Sequence, residues 1–520
     1  MPRKRQYHFL FSAFPAWGHT RAFCILAARV VKETENITFT LLLSPNHLAK
    51  ARAEMTAELG YEMPDDRLRV LSPCKTDSDD AFILIPLMVQ TYPEAYRALS
   101  EAKPGVCAMT GKIFNAIDAP DIVFLDVYTS PQMLATRAIT GQKVPIIASV
   151  PLHASCVIHL YGPERLGGNG DLSGKIEAEA TRRGVTPREI GDSIFYHTEG
   201  KVIKVPGLPD MYDWEHFPQL PDAFQNTVSD VIKLAYKGLQ ECNSVFSLTA
   251  EDFEPVSVDA LKSWILEEWD KEVFVVGPLL PSKPTTYGIE SDGGGHESSE
   301  IQDFLTKTLK LHGEKSLVLI SFGTLFWPSI VEYLEEVVEA LIEKDFPFII
   351  SYASPFGKIS DSLIDKIRLA GYGLISKWIP QKFVLDHPAT GWFVTHAGQS
   401  GVLESLDSGV PMICWPFEFD QPLASAHLSE NLDIAFELIE VRTGEHGIKP
   451  LMRNGRVPKR SRDAVGIEIR DILEKCRGPK GAVLRENAQN MKARLKQAWE
   501  PDGVARRDFN TFLKKYGINT

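Results

Sequence analysis

Short β-branched and apolar runs alternate with helical stretches along this chain, and the alternation occurs twice. In the first half the runs are residues 7–14, 37–43, 69–71, 122–125 and 144–150, bounded by Pro, Asp or Gly, with helical spacing over 21–33. Residues 244–248 and 273–276 are two more. Runs this short and uniformly apolar are buried on both faces. Buried strands separated by helices pair in parallel through crossovers. A less regular region from 159 to about 226 interrupts the series and reads as an insertion shaping one side of a cleft. The series restarts at 316–322, which ends in Gly323-Thr324, and runs through a helix at 331–343 and strands at 346–351, 373–376, 391–395 and 411–415. Between the two series stand Gly277-Pro-Leu-Leu-Pro281 and a polar, glycine-rich stretch ending Ser291-Asp-Gly-Gly-Gly-His-Glu-Ser-Ser299, the best linker in the sequence. The predicted fold class is α/β, with two Rossmann-like domains, 1–278 and 301–490, facing each other across a cleft. Residues 279–300 join them, and the helical text of 491–520 can pack back on the first domain.

Composition narrows what such a chain does. Its 520 residues are 44% hydrophobic and 24% charged, ordinary for a globular protein. The net charge of −12 argues against a nucleic-acid partner, whose phosphates select a basic surplus. The seven cysteines, at 24, 74, 107, 156, 242, 414 and 476, never form a CxxC pair, which argues against a disulfide framework or a zinc site. No apolar run reaches the roughly 18 residues of a transmembrane span. The basic opening Met1-Pro-Arg-Lys-Arg5 lacks the longer apolar core of a signal peptide. A cytoplasmic protein is the expectation.

Several motifs carry less than they suggest. Asp77-Ser-Asp79-Asp80 has the Asp-x-Asp form of a metal-dependent sugar transferase, but reads as a solvated acidic loop. Residues 169–176 fail as a P-loop, with Asn169 where the first Gly is needed and Ile176 where Ser or Thr would hold magnesium. There is no Gly-x-Gly-x-x-Gly after a strand, no Gly-x-Ser-x-Gly and no His-Glu-x-x-His.

The densest signal lies over 378–421. It comprises Trp378-Ile-Pro-Gln381, then Phe393-Val-Thr-His396-Ala-Gly398-Gln-Ser400-Gly401 and Glu404, then Gly409-Val-Pro, Trp415-Pro416 and Asp420-Gln421. Residues 393–395 read as a strand, 396–401 as a small-residue turn and 402–407 as a helix. A strand, a glycine turn and a helix N-terminus together form an anion site, because free N–H groups and the helix dipole face the turn. In an open parallel sheet ligands bind at the carboxyl ends of strands, and Ser321-Phe-Gly-Thr324 ends another strand there.

This stretch resembles the UDP-sugar signature of the family 1 glycosyltransferases, the UDP-glycosyltransferase superfamily with the GT-B fold. Weaker similarity extends to Pro15-Ala-Trp-Gly-His19, to Val276-Gly-Pro-Leu279 and to Ser321–Thr324. The resemblance implies an acceptor-binding first domain and a UDP-sugar-binding second domain. Trp378 would stack on uracil, with Gln381 near the nucleoside. His396 would donate to the diphosphate, with Thr324, Gly398, Ser400 and Gly401 adding hydroxyl and N–H groups. Glu404 would accept both ribose hydroxyls, and Asp420 and Gln421 would hold the sugar, with Gln421 favouring glucose. Plant members commonly read His-Cys-Gly-Trp-Asn-Ser where this chain reads His396-Ala-Gly-Gln-Ser-Gly401, so the resemblance is to a microbial or fungal member.

Transfer to a hydroxyl needs a base on the acceptor and charge stabilisation on the leaving diphosphate. His19, at the end of the first strand, is the candidate base, and Asp126, directly after the run 122–125, would orient it, as the family's His–Asp dyad does. Asp118 and Asp121 compete for that role. One base and no side-chain nucleophile imply inversion, so an α-linked UDP-sugar would give a β-glycoside. Phe14, Trp17, Phe82, Met88, Tyr92 and His153 are the candidate acceptor-binding residues, which suggests a small, largely apolar acceptor. No permanently bound cofactor and no metal are expected, UDP-glucose being a co-substrate. Two other readings are a UDP-sugar 2-epimerase or hydrolase on the same scaffold and a non-catalytic sugar-nucleotide-binding subunit.

Overall fold

The computed structural model describes residues 5–219, 227–282, 295–354 and 356–519. The first domain is built on a seven-stranded parallel sheet. Its strands in chain order are β1 (Tyr7–Ser12), β2 (Ile37–Leu42), β3 (Leu68–Leu71), β4 (Ile122–Asp126), β5 (Ile146–Val150), β6 (Ser244–Ala250) and β7 (Glu272–Gly277). The spatial order is β7-β6-β5-β4-β1-β2-β3. The second domain carries β8 (Leu317–Ser321), β9 (Phe348–Ser351), β10 (Gly373–Ser376), β11 (Thr390–Thr395), β12 (Met412–Cys414) and β13 (Ala435–Glu437), in the order β10-β9-β8-β11-β12-β13. Counted within its own domain, the second sheet follows 3-2-1-4-5-6, the doubly wound order, and the first follows it with a seventh strand beyond the sixth. The direction of winding reverses between β1 and β4 and again between β8 and β11. A crevice opens at such a reversal, at the carboxyl ends of the strands.

The strands are buried as their sequences require. β1, β4, β5, β6, β8 and β11 have no exposed or half-exposed residue. Helix Trp17–Glu33 lays Phe23 flat on Phe11, with ring centroids 3.9 Å apart. A fully buried side chain of this size contributes about 1.5–3 kcal/mol.

The sequence reading and the structure differ in instructive places. His19, expected at the end of the first strand and ahead of the helical spacing at 21–33, lies with Trp17 and Gly18 in the first turn of helix Trp17–Glu33. The irregular region contains helices Leu172–Arg183 and Pro187–Phe195. The failed P-loop is the start of the first of these, where the Asp171 carboxylate accepts from Gly174 N–H at 2.8 Å. β13 went unread. Residues 283–294 of the expected linker lie outside the described residues, and helix Gly295–His312 begins within that linker.

The insertion reaches the other domain. Tyr196 Oη donates to Glu418 at 2.6 Å, Trp214 Nε1 donates to the Pro450 carbonyl at 2.9 Å, and Glu215 accepts from Met452 N–H at 2.8 Å. At the C-terminus, helices Arg462–Arg477 and Pro479–Gln497 pack on the second domain through Val465, Ile469, Leu484 and Met491. Helix Val504–Lys515 then crosses to the first, where Phe512 lies 4.5 Å from Phe246 and 5.5 Å from Phe274 between ring centroids.

Candidate active site

The reversal point in the first sheet brings together His19 and Asp126. Asp126 is the last residue of β4 and fully buried; Tyr128 N–H donates to its Oδ1 at 3.0 Å. Its Oδ2 lies 2.7 Å from Nδ1 of His19, so a proton on Nδ1 leaves the Nε2 lone pair free. The His19 side chain keeps 22% of its surface open, enough to meet a ligand from the cleft. Asp118 and Asp121 are at the wrong end of the strand. Asp121 accepts from His8 N–H and Arg5, and the Asp118 carbonyl bonds the His8 ring, all before β4 begins.

Two aromatic rings cluster with this histidine: Phe14 lies 5.4 Å and Tyr128 5.9 Å from His19 between centroids, and they lie 6.1 Å from each other. Trp17, half-buried, packs edge-on to His47. Tyr128 was missed by sequence reasoning, although its place two residues beyond a strand-end Asp was the signal. Three acceptor candidates are corrected. Met88 and Tyr92 are core residues, Met88 against Cys74 and Tyr92 through a 2.8 Å hydrogen bond to Thr136. They occupy the inward face of a helix whose outward face carries Phe82, 69% exposed. His153 is fully buried, 3.7 Å from Glu254. Burial pushes the Glu254 carboxyl up, but His153, Thr249 and the helix N–H groups of Ala154 and Ser155 outweigh it and hold it at about 2. Glu254 therefore caps the start of the helix that follows His153, whose ring packs 4.8 Å from Phe253 between centroids. Asp80 caps the helix Ala81–Ser100, its carboxylate accepting from Phe82 N–H.

The reversal point in the second sheet places His396 directly after β11, beside the end of β8. The ring fits between two glycines. A Cβ at Gly323, where φ is +73°, would lie 2.9 Å from its Cε1, and one at Gly398 would lie 2.6 Å from Nε2. Desolvation lowers the imidazole to about 4, so it is a neutral ring at pH 7 with one N–H to donate. Helix Gln399–Ser408 begins at once, with Gly398 as an N-cap that offers no side chain. Its first N–H groups have no partner four residues back, and only that of Gln399 is taken by a side chain, Asp420 Oδ2 at 2.9 Å. Ser400 is exposed here and Gly401 buried behind it; Thr324 is exposed beyond β8.

The remaining donor candidates lie around this helix start. Trp378 leaves 41% of its surface in solvent. Gln381 Nε2 donates to Glu404 Oε2 at 2.7 Å. The other oxygen of Glu404 pairs with Arg21 of the first domain, a partner that sequence reasoning missed. Asp420 is buried, and desolvation raises its pKa. Gln421 Oε1 accepts from Phe417 N–H and Glu418 N–H at 2.9 and 3.2 Å, which holds the loop after β12.

The two reversal points face each other. A Cβ at Gly18 would lie 3.3 Å from Ser400 Oγ. The first turn carrying His19 thus abuts the first turn that follows His396, and two helix N-termini converge on one spot.

Comparison with known proteins agrees with this geometry. Residues 243–442 match the family model described as UDP-glucoronosyl and UDP-glucosyl transferase. The chain is 28% identical over 518 residues to the UDP-glycosyltransferase eriJ of Hericium erinaceus, covering 96% of this chain and 97% of that one. It is 24% identical over 520 residues to an anthocyanidin 3-O-glucosyltransferase of Zea mays, covering 98% and 96%. Among solved structures, a transferase from Siraitia grosvenorii in complex with UDP superposes with a TM-score of 0.67 at 19% identity, covering 98% of this chain and 100% of that one. Phytolacca americana UGT2, complexed with UDP-2fluoro-glucose and pterostilbene, gives 0.66 at 18%, with the same coverage. These structures share the GT-B fold with this chain. No helix among the described residues is long and apolar enough to cross a membrane.

Proposed function

We propose that this chain, a UDP-glycosyltransferase by its likeness to the family model over residues 243–442 and to eriJ over nearly its whole length, transfers glucose from UDP-glucose, with inversion and without a metal, to a hydroxyl of a small, largely apolar alcohol or phenol. The abutment of Gly18 and Ser400 carries this reading. It sets the imidazole of His19 beside the anion site, where base and leaving group must both act.

In the proposed reaction the acceptor hydroxyl gives its proton to Nε2 of His19 as its oxygen attacks the anomeric carbon from the face opposite UDP. Asp126 stabilises the imidazolium. The bond to the diphosphate breaks on the other face, giving a β-glycoside from an α-linked donor. His396, Thr324, Ser400 and the free N–H groups at the start of helix Gln399–Ser408 meet the departing charge. This donor set is the basis for proposing that no metal takes part.

Trp378 stacks on the uracil, Glu404 takes the ribose hydroxyls, and Asp420 and Gln421 hold the hexose. The carbonyl of Gln421 is committed to its loop, so its –NH2 end is the one for a sugar hydroxyl. Phe14 and Tyr128, clustered beside His19, support the apolar acceptor. All seven cysteines are unpaired and buried, in keeping with work in a reducing, cytosolic compartment.

A matrix of UDP-sugars against hydroxylated small molecules, read by mass spectrometry with NMR of the anomeric proton, tests the proposal. β-Glucosides of apolar alcohols or phenols are expected. Free sugar as the only product would move the assignment to the hydrolase reading, and α-glycosides would reject the single displacement.

A further inference from the structure

Arg21 stands two residues after His19 on helix Trp17–Glu33, yet its guanidinium serves the other domain. The side chain is mostly buried and lies between two carboxylates. Its Nε is 3.1 Å from Glu54 Oε1 on helix Leu48–Leu59, and its Nη1 pairs with Glu404 Oε1. The second oxygen of Glu404 accepts from Gln381 Nε2 at 2.7 Å. Glu404 is therefore gripped at both oxygens, once from each domain. Each carboxylate oxygen has two lone-pair directions, so each retains one for a further donor. The two remaining directions suit two vicinal hydroxyls. A planar guanidinium presents its donors at fixed angles, so the contact of Nε with Glu54 sets where Nη1 meets Glu404, as an ammonium would not.

We propose that Arg21 is a positioning residue that aims Glu404 and thereby sets the enzyme's preference for ribose over deoxyribose in its nucleotide. This rests on the reading of Glu404 as the ribose-binding carboxylate. Glu54 braces Arg21 from behind. Its carboxylate also offsets the cation, so the guanidinium is not drawn away from Glu404 toward solvent.

The test is the ratio of dissociation constants for UDP and 2′,3′-dideoxy-UDP, measured by calorimetry on the full chain and on the variants Arg21→Met, Arg21→Lys and Glu404→Gln. In the parent the ratio is expected to favour UDP by about tenfold to a hundredfold, the worth of hydrogen bonds to a charged group. Glu404→Gln, which removes the charge and one of the two acceptor oxygens, should lower the ratio severalfold, which tests the underlying reading by itself. Arg21→Met should lower the ratio at least fivefold while leaving dideoxy-UDP binding unchanged, a result that general damage would not give. Arg21→Lys, which keeps the charge but not the planar fork, should fall between and serves if the methionine variant does not fold. A lowered ratio in Glu404→Gln with parental ratios in both Arg21 variants would overturn the role of Arg21 alone. A parental ratio in Glu404→Gln would overturn the ribose assignment itself.

Discussion

Nδ1 of His19 lies 2.7 Å from Oδ2 of Asp126, and the two residues come from the two sides of the point where the first sheet reverses its winding. The carboxylate has no solvent exposure, and its other oxygen is occupied by Tyr128 N–H. It is therefore built to hold one tautomer of one imidazole. Replacing His19 by Ala should lower kcat by about 10²–10⁴-fold, the usual worth of a general base. Asp126→Asn should cost about as much, because an amide –NH2 facing Nδ1 forces the proton onto Nε2 and removes the lone pair the acceptor needs. Calorimetric binding of UDP should be unchanged in both. A loss of UDP affinity that matched the loss of rate would sink the assignment of His19 as base.

Trp378 is a large apolar side chain left 41% in solvent. Leaving an indole open has a hydrophobic cost that a stacked base would recover. Trp378→Ala should weaken UDP binding by about 1–3 kcal/mol, the range for base–aromatic stacking, with kcat at saturating donor preserved. Trp378→Phe should recover part of the affinity. Equal KM values for the donor in Trp378→Ala and the parent would remove the stacking role.

Both sheets were legible in the sequence because strands buried on two faces are written as unbroken apolar runs. β13 was not, since Ala435-Phe-Glu437 is short and two of its three residues are only half-buried. The start of helix Trp17–Glu33 was misread for a related reason. Its N-cap, Ala16, makes no side-chain cap hydrogen bond, and Pro15 and Gly18 read as punctuation. The stretch 378–421 was legible because glycine and histidine at fixed spacing answer a local backbone demand. Arg21 and Glu404 were not paired in the reading. They are 383 positions apart, and nothing local encodes a meeting that depends on how two domains face each other. The inward turn of Met88 and Tyr92 was hidden because an apolar side chain on an amphipathic helix reads alike whether it meets a core or a cleft.

His396 fits only because residues 323 and 398 lack a Cβ. Gly398→Ala would place a methyl 2.6 Å from Nε2, and Gly323→Ala one 2.9 Å from Cε1 at a φ of +73°. The second change also adds about 1–2 kcal/mol of left-handed backbone strain. Both variants should bind UDP more weakly than the parent, because the ring must turn from its place. Only Gly323→Ala should also show a clear fall in Tm, since Gly398 has ordinary extended φ and ψ of −69° and 149°. Unchanged UDP affinity in Gly398→Ala would mean that the diphosphate does not depend on this ring.

Glu418 gives the molecule a titration near neutral pH. Its carboxyl is buried in the loop after β12 and accepts from Tyr196 Oη of the first domain at 2.6 Å. Burial raises it from 4.5 to about 7; the Tyr196 hydroxyl works against that rise, and Asp192 adds to it. The sign of the pH effect follows from linkage. Below pH 4.5 the group is protonated both folded and unfolded, and its folded-state contribution is whole. As pH rises from there to about 7 the unfolded chain releases the proton first, so folding stability falls, and the loss is complete once the folded group ionises. Glu418→Gln cannot ionise and still offers Tyr196 an acceptor. Its Tm relative to the parent should therefore rise across this window and level off above it. Tyr196→Phe, which removes the donor that favours the carboxylate, should extend the upper edge of the window to higher pH and leave its lower edge in place. Thermal unfolding of the three proteins in matched buffers from acid to mildly alkaline pH measures this, and parallel Tm curves for parent and Glu418→Gln would show that Glu418 titrates as an ordinary carboxylate.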